Sequence, residues 1–148
     1  MGSGQGAILL ADKGGSGNLL IEEAHKKAQI TNRLLVVRTG DDVINYLKGN
    51  GDYADRARWP MPAVVLLDLT LPGLDGFQVL QRIRKCDEFD SVIIVVLAAE
   101  NQSGNVDRAY QLGANSFLIK PSDLDQSEEL YTLLVKFWLD YNVPAGLK

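Results

Sequence analysis

The sequence predicts an α/β domain: a mostly parallel five-stranded sheet with helices on both faces, a three-layer (βα)5 sandwich. Three observations predict it. Short apolar runs alternate with helical patterns five times, the mark of right-handed β-α-β units. Two of the runs, residues 63–67 (AVVLL) and 92–98 (VIIVVLA), are apolar at every position, as strands covered on both faces require. With 148 residues, 46% hydrophobic and 23% charged, the chain suits one domain with a single core. Periodicity alone leaves the strand order open.

Residues 7–11 (AILLA) form the first strand, ending at Asp12, before a glycine-rich loop over 13–17 with Asn18 as a helix N-cap. A helix over 19–30 follows, with Glu22 and Glu23 in its first turns, where the helix dipole favours acids. The second strand is 34–37. Thr39-Gly40-Asp41 closes it, and Val43, Ile44 and Leu47 give the next helix its apolar stripe. Residues 49–62 are the longest stretch without a period and read as an ordered surface loop with one helical turn.

The central strand, 63–67, delivers Asp68 into a turn segment, LTLPGLDG. Asp75 then caps a helix over 76–85 whose core face is Phe77, Leu80 and Ile83. After the strand at 92–98 comes a helix over 105–112, closed by Gly113. The fifth strand is 116–119, followed by Lys120-Pro121. A last helix over 128–141 carries Leu130, Leu133, Leu134, Phe137 and Trp138 as its expected core stripe. The domain thus covers 7–142, between a lead-in at 1–6 and a short tail at 143–148.

Composition excludes several function classes. The formal net charge of −4 argues against a nucleic-acid footprint, and Arg82, Arg84 and Lys85 read as a solvated helix face. Cys86 is the only cysteine, so no intrachain disulfide forms, which suits a reducing, cytoplasmic setting. His25 is the only histidine, on an ordinary amphipathic helix, so multi-histidine metal sites are excluded. No apolar run approaches the ~18 residues of a membrane span, and the Gly/Ser-rich start lacks the pattern of a signal peptide.

The chemistry collects at the strand ends: Asp12 after the first, Asp68 after the third, Ala98-Ala99-Glu100 after the fourth, Lys120 after the fifth. In a parallel sheet these lie along one edge, where open α/β folds bind ligands. Two carboxylates ~4 Å apart repel by about 4 kcal/mol at an effective dielectric near ~20. A hard cation such as Mg²⁺ relieves that repulsion, and Lys120 adds a second positive charge. A carboxylate so flanked is arranged to attack phosphorus and give an aspartyl phosphate.

These residues resemble a receiver domain of the bacterial two-component response regulators, over nearly the whole chain. The match is carried by LLDLTLPGLDG around Asp68, LGANSFLIKP around Lys120, and the Asp12 strand end. The resemblance implies a flavodoxin-like fold with strand order 2-1-3-4-5. It implies that Asp68 accepts a phosphoryl group from a histidine kinase or phosphotransfer protein. It further implies that Asp12, Asp68 and the backbone carbonyl of Thr70 hold Mg²⁺, that Lys120 pairs with Asp68, and that a cis peptide joins Lys120 to Pro121. The long loop before the central strand and the chain's ending are similar to those of single-domain, phytochrome-associated regulators. With only residues 143–148 after the last helix, output is expected from the receiver surface, toward a downstream protein or a second copy, and not toward DNA or a membrane.

Two positions depart from the family pattern. Ala11 stands where the first of two adjacent acids is usual, which should weaken Mg²⁺ binding. Ala98 stands where a Thr or Ser hydroxyl usually reaches the phosphoryl group, so movement of the aromatic switch residue, Phe117, is less tightly linked to Asp68. The main reading is a phosphoacceptor, not an enzyme beyond self-catalysed phosphotransfer and autodephosphorylation. The alternative is a degenerate pseudo-receiver that binds partners regardless of phosphorylation. A Mg²⁺-dependent phosphohydrolase would need a second acid where Thr70 stands.

Overall fold

A computed structural model describes residues 6–14, 20–99 and 103–145. Most of the lead-in, the Asn18 cap, the first helix's start and Glu100 lie outside the described residues. Five strands, β1 (Ala7–Ala11), β2 (Leu34–Val37), β3 (Pro62–Asp68), β4 (Ile93–Ala98) and β5 (Ser116–Ile119), pair in parallel in the order β2-β1-β3-β4-β5. Helices α1 (Leu20–Lys27), α2 (Gly40–Lys48), α3 (Gly76–Arg84), α4 (Ser103–Gln111) and α5 (Leu124–Val135) alternate with them. This is the flavodoxin-like arrangement that the resemblance implies.

Strand alternation divides the core into two layers. Leu9, Val65, Leu67, Ile94 and Val96 pack with α2 and α3 through Val43, Leu47, Phe77 and Leu80. Ile8, Leu10, Val64, Leu66, Val95 and Leu97 pack with α1 and α5 through Ile21, Ala24, Tyr131 and Leu134. Both faces of β1, β3 and β4 are therefore apolar, as the continuous runs require.

Local chemistry sets the helix ends. Asp75 caps α3 in a reciprocal box with Gln78: its side chain takes the Gln78 N–H at 2.9 Å, and Gln78 Oε1 takes the Asp75 N–H at 3.0 Å. Gly113, at φ 108°, follows α4 in the left-handed conformation that glycine tolerates. The loop after α2 contains the expected helical turn, a 3₁₀ turn at Gly51–Ala54.

Three expectations are corrected. The last helix starts earlier, capped by Asp123, whose carboxylate takes the Gln126 N–H at 2.8 Å. Its buried positions are Ser127, Tyr131, Leu134 and Val135, whereas Leu133 and Phe137 are 59% and 53% exposed. The buried positions follow an i, i+4, i+7, i+8 phase through Tyr131, set by the sheet face that α5 packs on, and the backbone continues as a π-helix over Lys136–Tyr141. Arg84 is no solvated side chain: it lies half-buried across the end of α3 and bonds several backbone carbonyls. The Lys120–Pro121 bond is trans, since no cis peptide occurs among the described residues. Even before proline, trans is favoured by about 0.5–1 kcal/mol.

Candidate functional site

Strand register assembles the site. Ala11 pairs with Leu67, so Asp12 emerges level with Asp68; Asp68 pairs with Leu97 and Leu97 with Leu118, so Lys120 emerges two residues further along the same edge. They also continue the alternation of Leu10, Leu66 and Leu118, which all belong to the α1/α5 layer. Three residues distant in sequence therefore meet at one corner of the sheet's C-terminal edge. Main-chain bonds fix the ends: the Asp12 N–H donates to Val37 O at 3.1 Å and the Lys120 N–H to Ala98 O at 2.8 Å.

Lys120 Nζ donates to Asp68 Oδ2 at 2.9 Å, with the Asp68 side chain 4% and the Lys120 side chain 20% exposed. The other carboxylate oxygen, Oδ1, accepts the Thr70 N–H at 3.0 Å and the Thr70 hydroxyl at 3.1 Å. Thr70 was expected to contribute only its carbonyl. The hydroxyl belongs to an Asp-x-Thr turn, a local signal that the sequence does carry. Asp12 is buried, and its Oδ1 accepts the Gly14 N–H at 2.8 Å. Arg38, absent from the expected site, donates to the Asp12 carbonyl at 3.3 Å and pairs with Glu22 at 3.2 Å.

Burial pushes the Asp12 carboxyl above the usual range; the Gly14 N–H and Lys120 pull it down, while the neighbouring Asp68 raises it further. A buried acid destabilised by desolvation and by a second acid fits a hard divalent cation. Asp12, Asp68 and the Thr70 carbonyl are the oxygen donors available. With Ala11 in place of an acid, no cluster of three metal-ligating side chains exists among the described residues.

The switch positions occupy the opposite layer. Ala98 is buried, so no hydroxyl projects from the end of β4. Phe117 is half-buried against the α2/α3 core, and its N–H donates to the Tyr110 hydroxyl at 3.1 Å.

A five-stranded 2-1-3-4-5 sheet with an Asp-Asp-Lys corner defines a receiver domain. The response regulator receiver domain model matches residues 19–132, and the chain belongs to that family. It is 30% identical over 142 residues to a probable methanogenesis regulatory protein, FilR2, of Methanothrix harundinacea, covering 94% of this chain and 87% of that one. It is 29% identical over 140 residues to response regulator Rcp1 of Synechocystis, covering 94% and 93%. The Mn²⁺-bound form of Rcp1 superposes with a TM-score of 0.81, at 28% identity and 95% and 99% coverage. The phosphorylated cyanobacterial phytochrome response regulator RcpA superposes with a TM-score of 0.85, at 27% identity and 95% and 99% coverage. The protein is thus a receiver closely related to single-domain response regulators of two-component signalling. No helix among the described residues is long and apolar enough to cross a membrane.

Proposed function

We propose that this chain takes a phosphoryl group onto Asp68 from the phosphohistidine of a sensor kinase or phosphotransfer protein, in the cytoplasm. The observation that carries the reading is the Lys120–Asp68 pair at 2.9 Å beside a second buried acid, Asp12. An Asp68 carboxylate oxygen forms the new P–O bond, the P–N bond to imidazole breaks, and the electron pair leaves with the donor nitrogen. Lys120 stays beside the carboxylate and balances charge on the product. Asp12, Asp68 and the Thr70 carbonyl would hold Mg²⁺, which when bound neutralises the acids and the phosphoryl oxygens. The Thr70 N–H and hydroxyl orient the nucleophile. The chain is a phosphoacceptor that promotes its own transfer and hydrolysis, not a turnover enzyme.

Ala98 and Ala11 favour a second reading, a pseudo-receiver with constitutive partner binding. Incubation with acetyl phosphate and Mg²⁺, followed by intact-mass measurement, separates the two. A single phosphoryl adduct is expected, absent in Asp68→Asn. An unmodified protein, or an adduct that survives that substitution, overturns phosphoacceptance. Output would pass through the face formed by α4, β5 and α5, toward a downstream protein or a second copy.

A further inference from the structure

The loop over residues 49–62 plays no part in phosphoryl chemistry, yet it builds a cavity. Asp42, Asn45, Asn50, Asp52, Tyr53 and Trp59 line a space of about 370 Å³ that shares no residue with the Asp68 site. Its walls are firmly held. Arg56 donates to the carbonyls of Tyr46 and Leu47, both at 2.8 Å, and of Trp59 at 3.2 Å. The Tyr46 hydroxyl donates to Pro60 O at 2.7 Å, and Arg33 donates to Arg58 O at 2.7 Å. Tyr53 and Trp59 meet edge to face, centroids 5.3 Å apart at 79°, so two aromatic surfaces form a fixed corner.

The lining suits a planar organic cation. Two carboxylates face a space with no lysine or arginine in its lining. Both act on Tyr53, whose hydroxyl is raised above its ordinary range first by burial and then by Asp42 and Asp52, so their fields converge there. Trp59 already carries one guanidinium, that of Arg58, at 5.2 Å from its ring centroid. Asn50 Nδ2 donates to Asn45 Oδ1 at 3.1 Å, a bond that does not use the Asn50 amide oxygen. Several acceptors beside an aromatic face match the five-donor fork of guanidinium better than a compact ammonium.

We propose that this cavity binds the guanidinium group of an arginine side chain presented by a protein partner. The test is a titration of ¹⁵N-labelled protein with a capped peptide bearing one arginine, with its citrulline counterpart, and with free methylguanidinium. The expected result is a saturable shift of the Trp59 indole N–H and the Asn45 and Asn50 side-chain amides with the arginine peptide. Asp42→Asn/Asp52→Asn should weaken binding about tenfold or more while keeping the shape of the site. The single Asp52→Asn, on an exposed turn, gives a smaller loss in the same direction should the double variant fold poorly. Acetyl phosphate labelling of Asp68 should be unchanged in both. Equal shifts with the citrulline peptide, or carboxamide variants that bind as the native protein does, overturn the proposal. Binding of methylguanidinium without the peptide overturns its protein-borne part.

Discussion

At the residue scale, the two oxygens of Asp68 have unlike neighbours, and this shapes what each substitution does. Oδ2 faces an ammonium and Oδ1 faces the N–H and hydroxyl of Thr70, so the carboxylate is held in one orientation before any donor arrives. The product side is less complete, because Ala98 supplies no hydroxyl. A hydrogen bond to a charged group is worth about 1.5–3 kcal/mol, roughly ten- to a hundredfold in an equilibrium. Ala98→Ser should therefore strengthen coupling between Asp68 and β5 by about tenfold or more. Hydrogen exchange at Phe117 and Leu118, with and without acetyl phosphate, reads it out; an unchanged difference would remove Ala98 from the explanation. Asp12, Asp68 and Lys120 were legible in the sequence because each ends an apolar run. The Thr70 hydroxyl is written locally, in the Asp-x-Thr pattern, but Arg38 is not, since its contacts with Asp12 and Glu22 depend on the folded path. His25 supplies a pH prediction. Its Nδ1 lies 2.7 Å from the buried Tyr131 hydroxyl, and burial lowers its pKa below the ordinary 6.5. The unfolded chain then binds the proton more tightly, so this contribution is complete above pH ~6.5 and is lost as pH falls through the lower folded value. Urea denaturation from pH 7 to 5 should show declining stability, and His25→Gln should flatten the slope.

At the element scale, one arginine ties α3 to two neighbouring loops, the approaches to β4 and to β5. Arg84, at the end of α3, donates to Gly113 O at 2.9 Å, Phe89 O at 3.0 Å, Val92 O at 2.9 Å and Asn115 Oδ1 at 2.9 Å. Asn115 Oδ1 in turn accepts the Ile94 N–H at 2.7 Å, which fixes the approach to β5 against the start of β4. Burial lowers the Arg84 pKa from its usual value, while Asp90 pulls it back up. Removing the fork leaves part-buried carbonyls without their donor, so Arg84→Met should cost about 2–4 kcal/mol in urea denaturation. Arg84→Lys should recover only part of that, because a point ammonium cannot span four acceptors. A loss under ~0.5 kcal/mol for Arg84→Met would show that the segments hold one another without it. The sequence placed α3 and its N-cap, Asp75, well, because capping is local and the apolar face has a period. It misread Arg84 because charge and helical position alone suggest solvent, and only tertiary contact reveals the carbonyls of Phe89, Val92 and Gly113 converging on the guanidinium. The phase of α5 failed for a related reason: both Leu133 and Leu134 satisfy a helical period, and the sheet selects between them.

At the scale of the whole molecule, the side chains left outside the core gather along α5. Leu133, Phe137 and Tyr141 are 59%, 53% and 70% exposed at four-residue spacing, while Ile119 on β5 and Tyr110 on α4 are 40% and 49% exposed. A monomer gains nothing by presenting such residues to water, and burying each would contribute about 1.5–3 kcal/mol. For the second-copy reading proposed above, sedimentation velocity should show a dimer that Leu133→Lys/Phe137→Lys converts to a monomer. The urea midpoint of Leu133→Lys at low protein concentration should hardly move, whereas Phe137→Lys also loses an edge-to-face contact with Trp138; a large loss for Leu133→Lys would mean that the stripe is structural. Phe117, on β5, is half-buried against the α2/α3 core and donates its N–H to the Tyr110 hydroxyl on the neighbouring α4. With Ala98 giving that residue no hydroxyl-driven pull, phosphoryl transfer to Asp68 should change the dimer constant by less than about tenfold. In Ala98→Ser the dependence should grow. A dimer that forms only after phosphorylation in the native chain would mean that the signal reaches α5 by a route independent of position 98.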